Sequence, residues 1–161
     1  MKTITMTYIS SRQTARLECA RLMRENPDIE LIAITSGSNQ RDVWMALSRS
    51  DVAVIDEEIT QHAGGETLGM LLAGNPGVKF LAIMENYNKD MMLWAIARGV
   101  RGVMLRCELL HLFGKAVRQV QQGEVWMPRH LLSSFRDAIN QQSQRPVKLV
   151  SDAVKPWLKL H

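Results

Sequence analysis

The chain has 161 residues, of which 46% are hydrophobic and 22% charged, a composition typical of one soluble globular domain with a short appendage. It contains no apolar run of the ~18 residues that a membrane-spanning helix needs, so membrane-embedded classes are excluded and a cytoplasmic protein is expected. Cys19 and Cys107 are too few for a disulfide framework and lack the spacing of metal ligands, so both are expected to be reduced thiols.

The net charge of +4 is concentrated near the C-terminus. Residues 1–128 carry 14 basic and 14 acidic residues, whereas residues 129–161 carry six basic and two acidic ones. A basic segment of this kind is typical of a solvated helix or linker, and the alternative is contact with nucleic acid.

Short apolar segments alternate five times with segments of helical periodicity. The predicted strands are 4–9, 31–34, 51–56, 80–84 and 103–105. The predicted helices are 13–25, 43–47, 68–72, 90–98 and 109–122. Five such alternations predict an α/β fold in which helices cover both faces of a doubly wound parallel five-stranded sheet.

The third predicted strand, Asp51-Val52-Ala53-Val54-Ile55-Asp56, has the apolar run of a strand that is buried on both faces. It ends in Asp56, which Glu57 and Glu58 follow. Ligands and chemistry collect at the carboxyl ends of strands in open α/β sheets, so Asp56 is a candidate reactive group.

Four segments together carry a family resemblance: Pro27-Asp28-Ile29-Glu30, the strand 51–56, the run from Ala97 to Arg106, and the run from Ala116 to Glu124. In this order and spacing the chain resembles the receiver domain of response regulators of the NarL/LuxR class, without a gap over residues 3 to 128. The resemblance implies a flavodoxin-like (βα)5 fold over residues 1–125 and places Asp56 at the phosphoacceptor position.

The metal-binding part of the receiver machinery does not carry over. Ser10 and Ser11 stand where the family has the acidic pair that holds Mg²⁺, and neutral hydroxyls cannot replace that charge. Glu57 and Glu58 are expected to point to opposite faces of a strand, so neither is an obvious substitute. Magnesium is therefore not expected as a cofactor, and no other metal site is predicted.

Three further positions of the phosphorylation machinery are also replaced. Met84 stands in place of the Ser or Thr of the fourth strand and cannot donate a hydrogen bond. Val103 stands in place of the aromatic switch residue, and Arg106 in place of the lysine. These replacements predict a degenerate pseudo-receiver in which Asp56 pairs with Arg106 and conventional phosphorylation is lost.

A sixth helix is predicted over 126–144, with Pro128 suited to its first position. Its apolar stripe packs either against its own domain or in a dimer interface, and comprises Leu131, Leu132, Phe135, Ala138 and Ile139. The segment Trp126-Met127-Pro128-Arg129 is similar to a motif by which some CsgD-like biofilm regulators bind cyclic-di-GMP. An indole and a guanidinium suit guanine, although Pro128 replaces the hydroxyl residue of that motif.

Residues 145–161 form a basic tail that provides at most the start of a missing helix-turn-helix domain, and Pro156 interrupts even that. DNA contact is therefore expected only through a C-terminal domain absent from this chain. We expect a receiver-like regulatory domain of an atypical transcription regulator that acts by homodimerisation or partner contacts. The alternatives are a small-molecule sensor of the cyclic-di-GMP type and a receiver that is phosphorylated on Asp56.

No catalytic constellation is predicted, and the chain is not expected to be an enzyme. The histidines are scattered singly and are interpreted as surface or packing residues: His62, His111, His130 and His161.

Overall fold

The computed structural model of the chain describes residues 2–144, with all side chains in that range except those at 135 and 138–144. Five parallel strands form one sheet in the order β2-β1-β3-β4-β5. The strands are β1 (Ile4–Ile9), β2 (Ile29–Thr35), β3 (Val52–Asp56), β4 (Lys79–Met84) and β5 (Gly102–Leu105). This arrangement confirms the predicted doubly wound parallel sheet.

Helices cover both faces of the sheet. They are α1 (Ala15–Glu25), α2 (Gln40–Leu47), α3 (Glu57–Gln61), α4 (Glu66–Gly74), α5 (Lys89–Arg98), α6 (Leu109–Gln121) and α7 (Arg129–Gln144). Short 3₁₀ turns at His62–Gly65 and Arg106–Glu108 precede α4 and α6. Gly99 ends α5 in a left-handed conformation, with a φ of 119° that favours glycine.

Two hydrophobic cores lie on opposite faces of the sheet, because successive strand residues point in opposite directions. On β3, Val52 and Val54 enter the core beneath α1 and α6, whereas Ala53 and Ile55 enter the core beneath α2, α4 and α5. All five residues of β3 are buried. The central strand therefore fixes Asp56 at the carboxyl edge of the sheet.

The main difference from the predicted elements is α3, which begins at Glu57 with no loop after β3. The sequence Glu-Glu-Ile-Thr-Gln is too short to show an apolar stripe, so periodicity indicated nothing there. The predicted third helix corresponds to α4, which starts earlier than its apolar residues suggested.

The segment after α6 is joined to the domain. The main chain of Trp126 pairs with the β5 edge: its N–H donates to the Arg101 carbonyl at 3.0 Å and its carbonyl accepts from Val103 N at 2.9 Å. Helix α7 packs on α5, and Leu131 is fully buried in the core on that side. The first turn of α7 thus packs against its own domain.

Part of the predicted stripe lies outside the described residues. The side chains of Phe135, Ala138 and Ile139 are not described, and neither is the predicted basic tail over 145–161. Among the helices in the described range, none combines the length and the apolar character that crossing a membrane requires.

Candidate functional site at the carboxyl edge of the sheet

Asp56 ends β3 with only 1% of its surface exposed. Its Oδ1 accepts hydrogen bonds from Arg106 Nη2 and lies 3.2 Å from the Tyr8 hydroxyl. Its Oδ2 is buried and has no hydrogen-bond partner among the described residues. The predicted contact between Asp56 and Arg106 is therefore present.

Arg106 follows β5 and binds more carboxylates than the sequence predicted. Its Nη1 donates to both carboxylate oxygens of Glu18, at 2.7 and 2.8 Å, and its Nε donates to Glu85 Oε1 at 2.6 Å. The planar guanidinium fork can serve several acceptors in this way. We call Tyr8, Glu18, Asp56, Glu85 and Arg106 the Arg106 cluster.

Tyr8 lies on β1 with its side chain fully buried. Its hydroxyl lies 2.5 Å from Glu18 Oε1, so it joins this carboxylate to Asp56. Burial and the neighbouring Asp56 charge raise the pKa of Tyr8 far above its ordinary value. Tyr8 therefore acts as a neutral hydrogen-bond donor in this cluster.

The electrostatics of Arg106 combine two opposed effects. Burial alone would lower the pKa of its guanidinium, but hydrogen bonds from its side chain to Tyr8, Glu18 and Glu85 outweigh burial and raise that pKa. The guanidinium is a permanent charge at the position to which the resemblance assigns a lysine.

Ser10 and Ser11 make local contacts. Ser10 is 4% exposed, and its Oγ accepts from Arg12 N at 3.1 Å. The N–H and the hydroxyl of Ser11 both donate to Glu58 Oε1, at 3.2 and 2.5 Å. These contacts tie the end of β1 to α3.

The expected orientation of Glu57 and Glu58 was wrong, because the two residues open a helix and do not continue a strand. Glu58 reaches Ser11, and Glu57 Oε2 accepts from Glu85 N at 3.1 Å. Both carboxylates lie in the first turn of α3, and they accept hydrogen bonds from residues that directly follow β1 and β4. Within residues 2–144, no three His, Cys, Asp or Glu side chains are placed to hold a metal ion together.

Met84 and Val103 are fully buried in the core beneath α5. Met84 occupies the position that the resemblance assigns to a Ser or Thr, and Val103 the position that it assigns to the aromatic switch residue. Here they are packing residues.

The C-terminal candidates have different surroundings. Trp126 packs against the core beneath α1 and α6, and Met127 against the core on the opposite face. Leu132 is half-buried and Arg129 is exposed. Phe135 and Ile139 were predicted as part of the same site and lie outside the described side chains. Cyclic-di-GMP binding at this segment stays a prediction, and isothermal titration would test it.

Sequence reasoning missed Tyr8, Glu18 and Glu85. A signal existed for Glu18, because the buried residues of α1 are Ala15, Cys19 and Leu22, and residue 18 lies beside them on the helix. A carboxylate at such a position needs a cation or hydrogen-bond donors. No comparable signal marked Glu85, which meets Arg106 only in the folded chain.

Comparison with solved structures supports the same architecture at low sequence identity. No protein-family model and no curated protein sequence matches the chain. The apo receiver domain of RcsB from Salmonella enterica serovar Typhimurium matches with a TM-score of 0.70 and 12% identity, over 84% of this chain and 99% of that one. The receiver domain of a putative NarL response regulator from Mycobacterium tuberculosis matches with a TM-score of 0.64 and 13% identity, over 77% and 100%.

A third match is a structure of two RcsB dimers bound to two parallel DNAs, with a TM-score of 0.65 and 11% identity. It covers 82% of this chain and 67% of that one. Identities this low establish the fold alone. The chain therefore has the receiver fold of response regulators.

Proposed function

We propose that this chain is the regulatory receiver-type domain of an atypical response-regulator transcription factor, and that it acts through protein contacts without phosphorylation of Asp56. The observation that carries this proposal is the Arg106 guanidinium, which binds Asp56 and is itself held by Glu18 and Glu85. The guanidinium occupies Oδ1 of Asp56, and Oδ2, the oxygen left for a phosphoryl group, is buried.

The residues present do not fit Mg²⁺. Mg²⁺ is bound through carboxylates and phosphate oxygens, but the position of the acidic pair carries Ser10 and Ser11. A divalent cation beside Asp56 would also lie next to the positive charge of Arg106, which is repulsive. Met84, finally, offers no hydroxyl to a phosphoryl oxygen.

Phosphorylation chemistry provides the direct test. Treatment with acetyl phosphate and Mg²⁺, followed by intact-mass measurement, should leave the wild-type chain unmodified, and beryllofluoride should not bind. The matched positive control is a variant with Ser10→Asp, Ser11→Asp and Arg106→Lys, which returns the charges that this chemistry needs. Stoichiometric modification of the wild type that is lost in Asp56→Asn would overturn the proposal.

Homodimerisation is the form of protein contact that we propose. Two leucines are exposed on the packed helices α1 and α6: Leu17 is 73% exposed and Leu110 is 49% exposed. The RcsB dimers bound to DNA provide an analogy for assembly of a receiver-bearing regulator. In this proposal the protein acts in the cytoplasm, and DNA contact is made by a part of the regulator other than the described receiver-type domain.

A further inference from the structure

A cleft of about 520 Å³ opens at the carboxyl edge of the sheet, between the β2–α2 loop, α2 and the segment from α3 to α4. In the strand order β2-β1-β3, β2 and β3 lie on opposite sides of β1, so the connections that leave β1 and β3 diverge at this edge. Ligand sites of open α/β sheets form at such switch points. No member of the Arg106 cluster lines this cleft.

One part of the lining is apolar and fixed in place. Buried Ile9 and Leu71 line the cleft together with the half-buried indole of Trp44 and the half-exposed Met70. The six-membered ring of Trp44 packs directly against Gly74. A Cβ added to Gly74 would lie 2.2 Å from Trp44 Cη2, so only glycine leaves room for the indole. A fixed indole and an adaptable thioether suit the ring of a planar ligand.

The charge of the lining is that of one carboxylate. Among the described residues around the cleft, Glu58 is the only acid, and no Lys or Arg is present. Glu58 Oε1 accepts from Ser11, whereas its Oε2 has no partner among the described side chains. A cation would be attracted both by this carboxylate and by an indole, whereas an anion would be repelled.

The polar side of the cleft adjoins a left-handed stretch of backbone. Three successive residues adopt left-handed conformations: Ala63, Gly64 and Gly65, with φ values of 52°, 66° and 92°. These residues reverse the chain direction between α3 and α4, so that His62 Nδ1 lies 2.6 Å from Thr67 Oγ1. Both His62 and Thr67 line the cleft. Non-glycine residues in this conformation are uncommon and cluster at functional sites.

We propose that this cleft binds an aromatic amine, a compound with one or two aromatic rings and a protonated amino group. The ring packs against Trp44 and Met70, and the ammonium pairs with Glu58. His62 and the serine hydroxyls of the β2–α2 loop provide further hydrogen bonds. This site uses none of the residues of the Arg106 cluster.

The first test uses two probes that share a ring and differ in charge. Isothermal titration of the full chain with tryptamine should give one site with a Kd of about 0.1–1 mM. Indole-3-acetate, which carries a carboxylate, should bind about ten-fold more weakly. The proposal is overturned by the absence of saturable heat with tryptamine up to about 5 mM, or by equal affinity for the two probes.

The second test uses two neighbouring carboxylates of α3. Glu58→Gln keeps an acceptor for Ser11 but removes the charge, so tryptamine affinity should fall about ten-fold. Glu57→Gln is the matched control, because Glu57 lies on the same helix and does not line the cleft. Circular dichroism melting confirms that both variants are folded. Equal effects of the two substitutions, or no effect of Glu58→Gln, would refute the assignment.

Discussion

At the scale of single residues, Arg106 should contribute more to stability than Asp56. Arg106→Met leaves the buried Asp56 carboxylate and Glu18 without their cation, and we expect a loss of about 3–5 kcal/mol in the free energy of unfolding. Asp56→Asn leaves Arg106 bound to Glu18 and Glu85, so the expected loss is only about 1–2 kcal/mol. Urea denaturation measures both.

Two further variants make this comparison specific. The double variant Arg106→Met/Asp56→Asn should be more stable than Arg106→Met alone, because it removes the unpaired buried charge. Arg12→Met is the control, since Arg12 pairs with Glu85 at an exposed position and should cost less than about 1 kcal/mol. Equal losses for Arg106→Met and Asp56→Asn would mean that the cluster does not depend on its central cation.

Tyr8 gives a prediction about alkaline pH. Its pKa is raised by burial first and by Asp56 second, so the folded chain holds this proton while the unfolded chain releases it near pH ~10. The Tyr8 contribution to stability is therefore complete below that pH and is lost as the pH rises above it. In a Tyr87→Phe variant, which leaves Tyr8 as the only tyrosine, tyrosinate absorbance should appear only together with unfolding. Tyrosinate formation before the loss of circular dichroism would contradict this assignment.

At the scale of secondary-structure elements, the long periodic patterns could be predicted and the short α3 could not. Strand β3 is identified by four apolar residues in succession, since both of its faces are buried. Helix α3 has five residues and no apolar stripe, and it is held by contacts of Glu57 and Glu58 with the ends of other strands. Such contacts depend on the tertiary fold, which local periodicity does not encode.

Helix α7 should contribute to the stability of the domain. Leu131 is fully buried in the core beneath α5, so Leu131→Ala should lower the free energy of unfolding by about 2–4 kcal/mol. Leu132→Ala is the matched control on the same helix, because Leu132 is only half-buried and should cost clearly less. Urea denaturation distinguishes the two. Equal costs would indicate that α7 does not pack on α5 in solution.

At the scale of the whole molecule, the arrangement around Arg106 is the part of the site that the sequence could not predict. Single positions such as Ser10 and Met84 can be compared with the resembled family one at a time. The Arg106 cluster instead joins residues from β1, α1, β3, the loop after β4 and the turn after β5, with Glu18 and Arg106 separated by 88 positions. Only the folded sheet brings these side chains together, so pairwise spacing in the sequence could not identify them.

We expect dimerisation of the chain to become stronger as the salt concentration rises. The exposed Leu17 and Leu110 lie on helices whose other exposed side chains are mainly basic. Apart from Ala20, Glu25 and His111, these are Arg16, Arg21, Arg24, Lys115 and Arg118. Two copies that meet through these helices bring like charges together, so screening should strengthen the dimer. The Debye length falls from about 8 Å at 0.15 M to about 3 Å at 1 M ionic strength.

Sedimentation equilibrium would measure this dependence, and we expect a smaller dimer dissociation constant at high salt. Leu17→Arg and Leu110→Arg each add a further positive charge to this basic contact and should give monomers, because burying an unpaired charge is costly. Met45→Arg is the matched control, since Met45 is similarly exposed on α2, a helix of the opposite face. Dissociation by salt, or equal effects of Met45→Arg and Leu17→Arg, would show that the dimer does not form through α1 and α6.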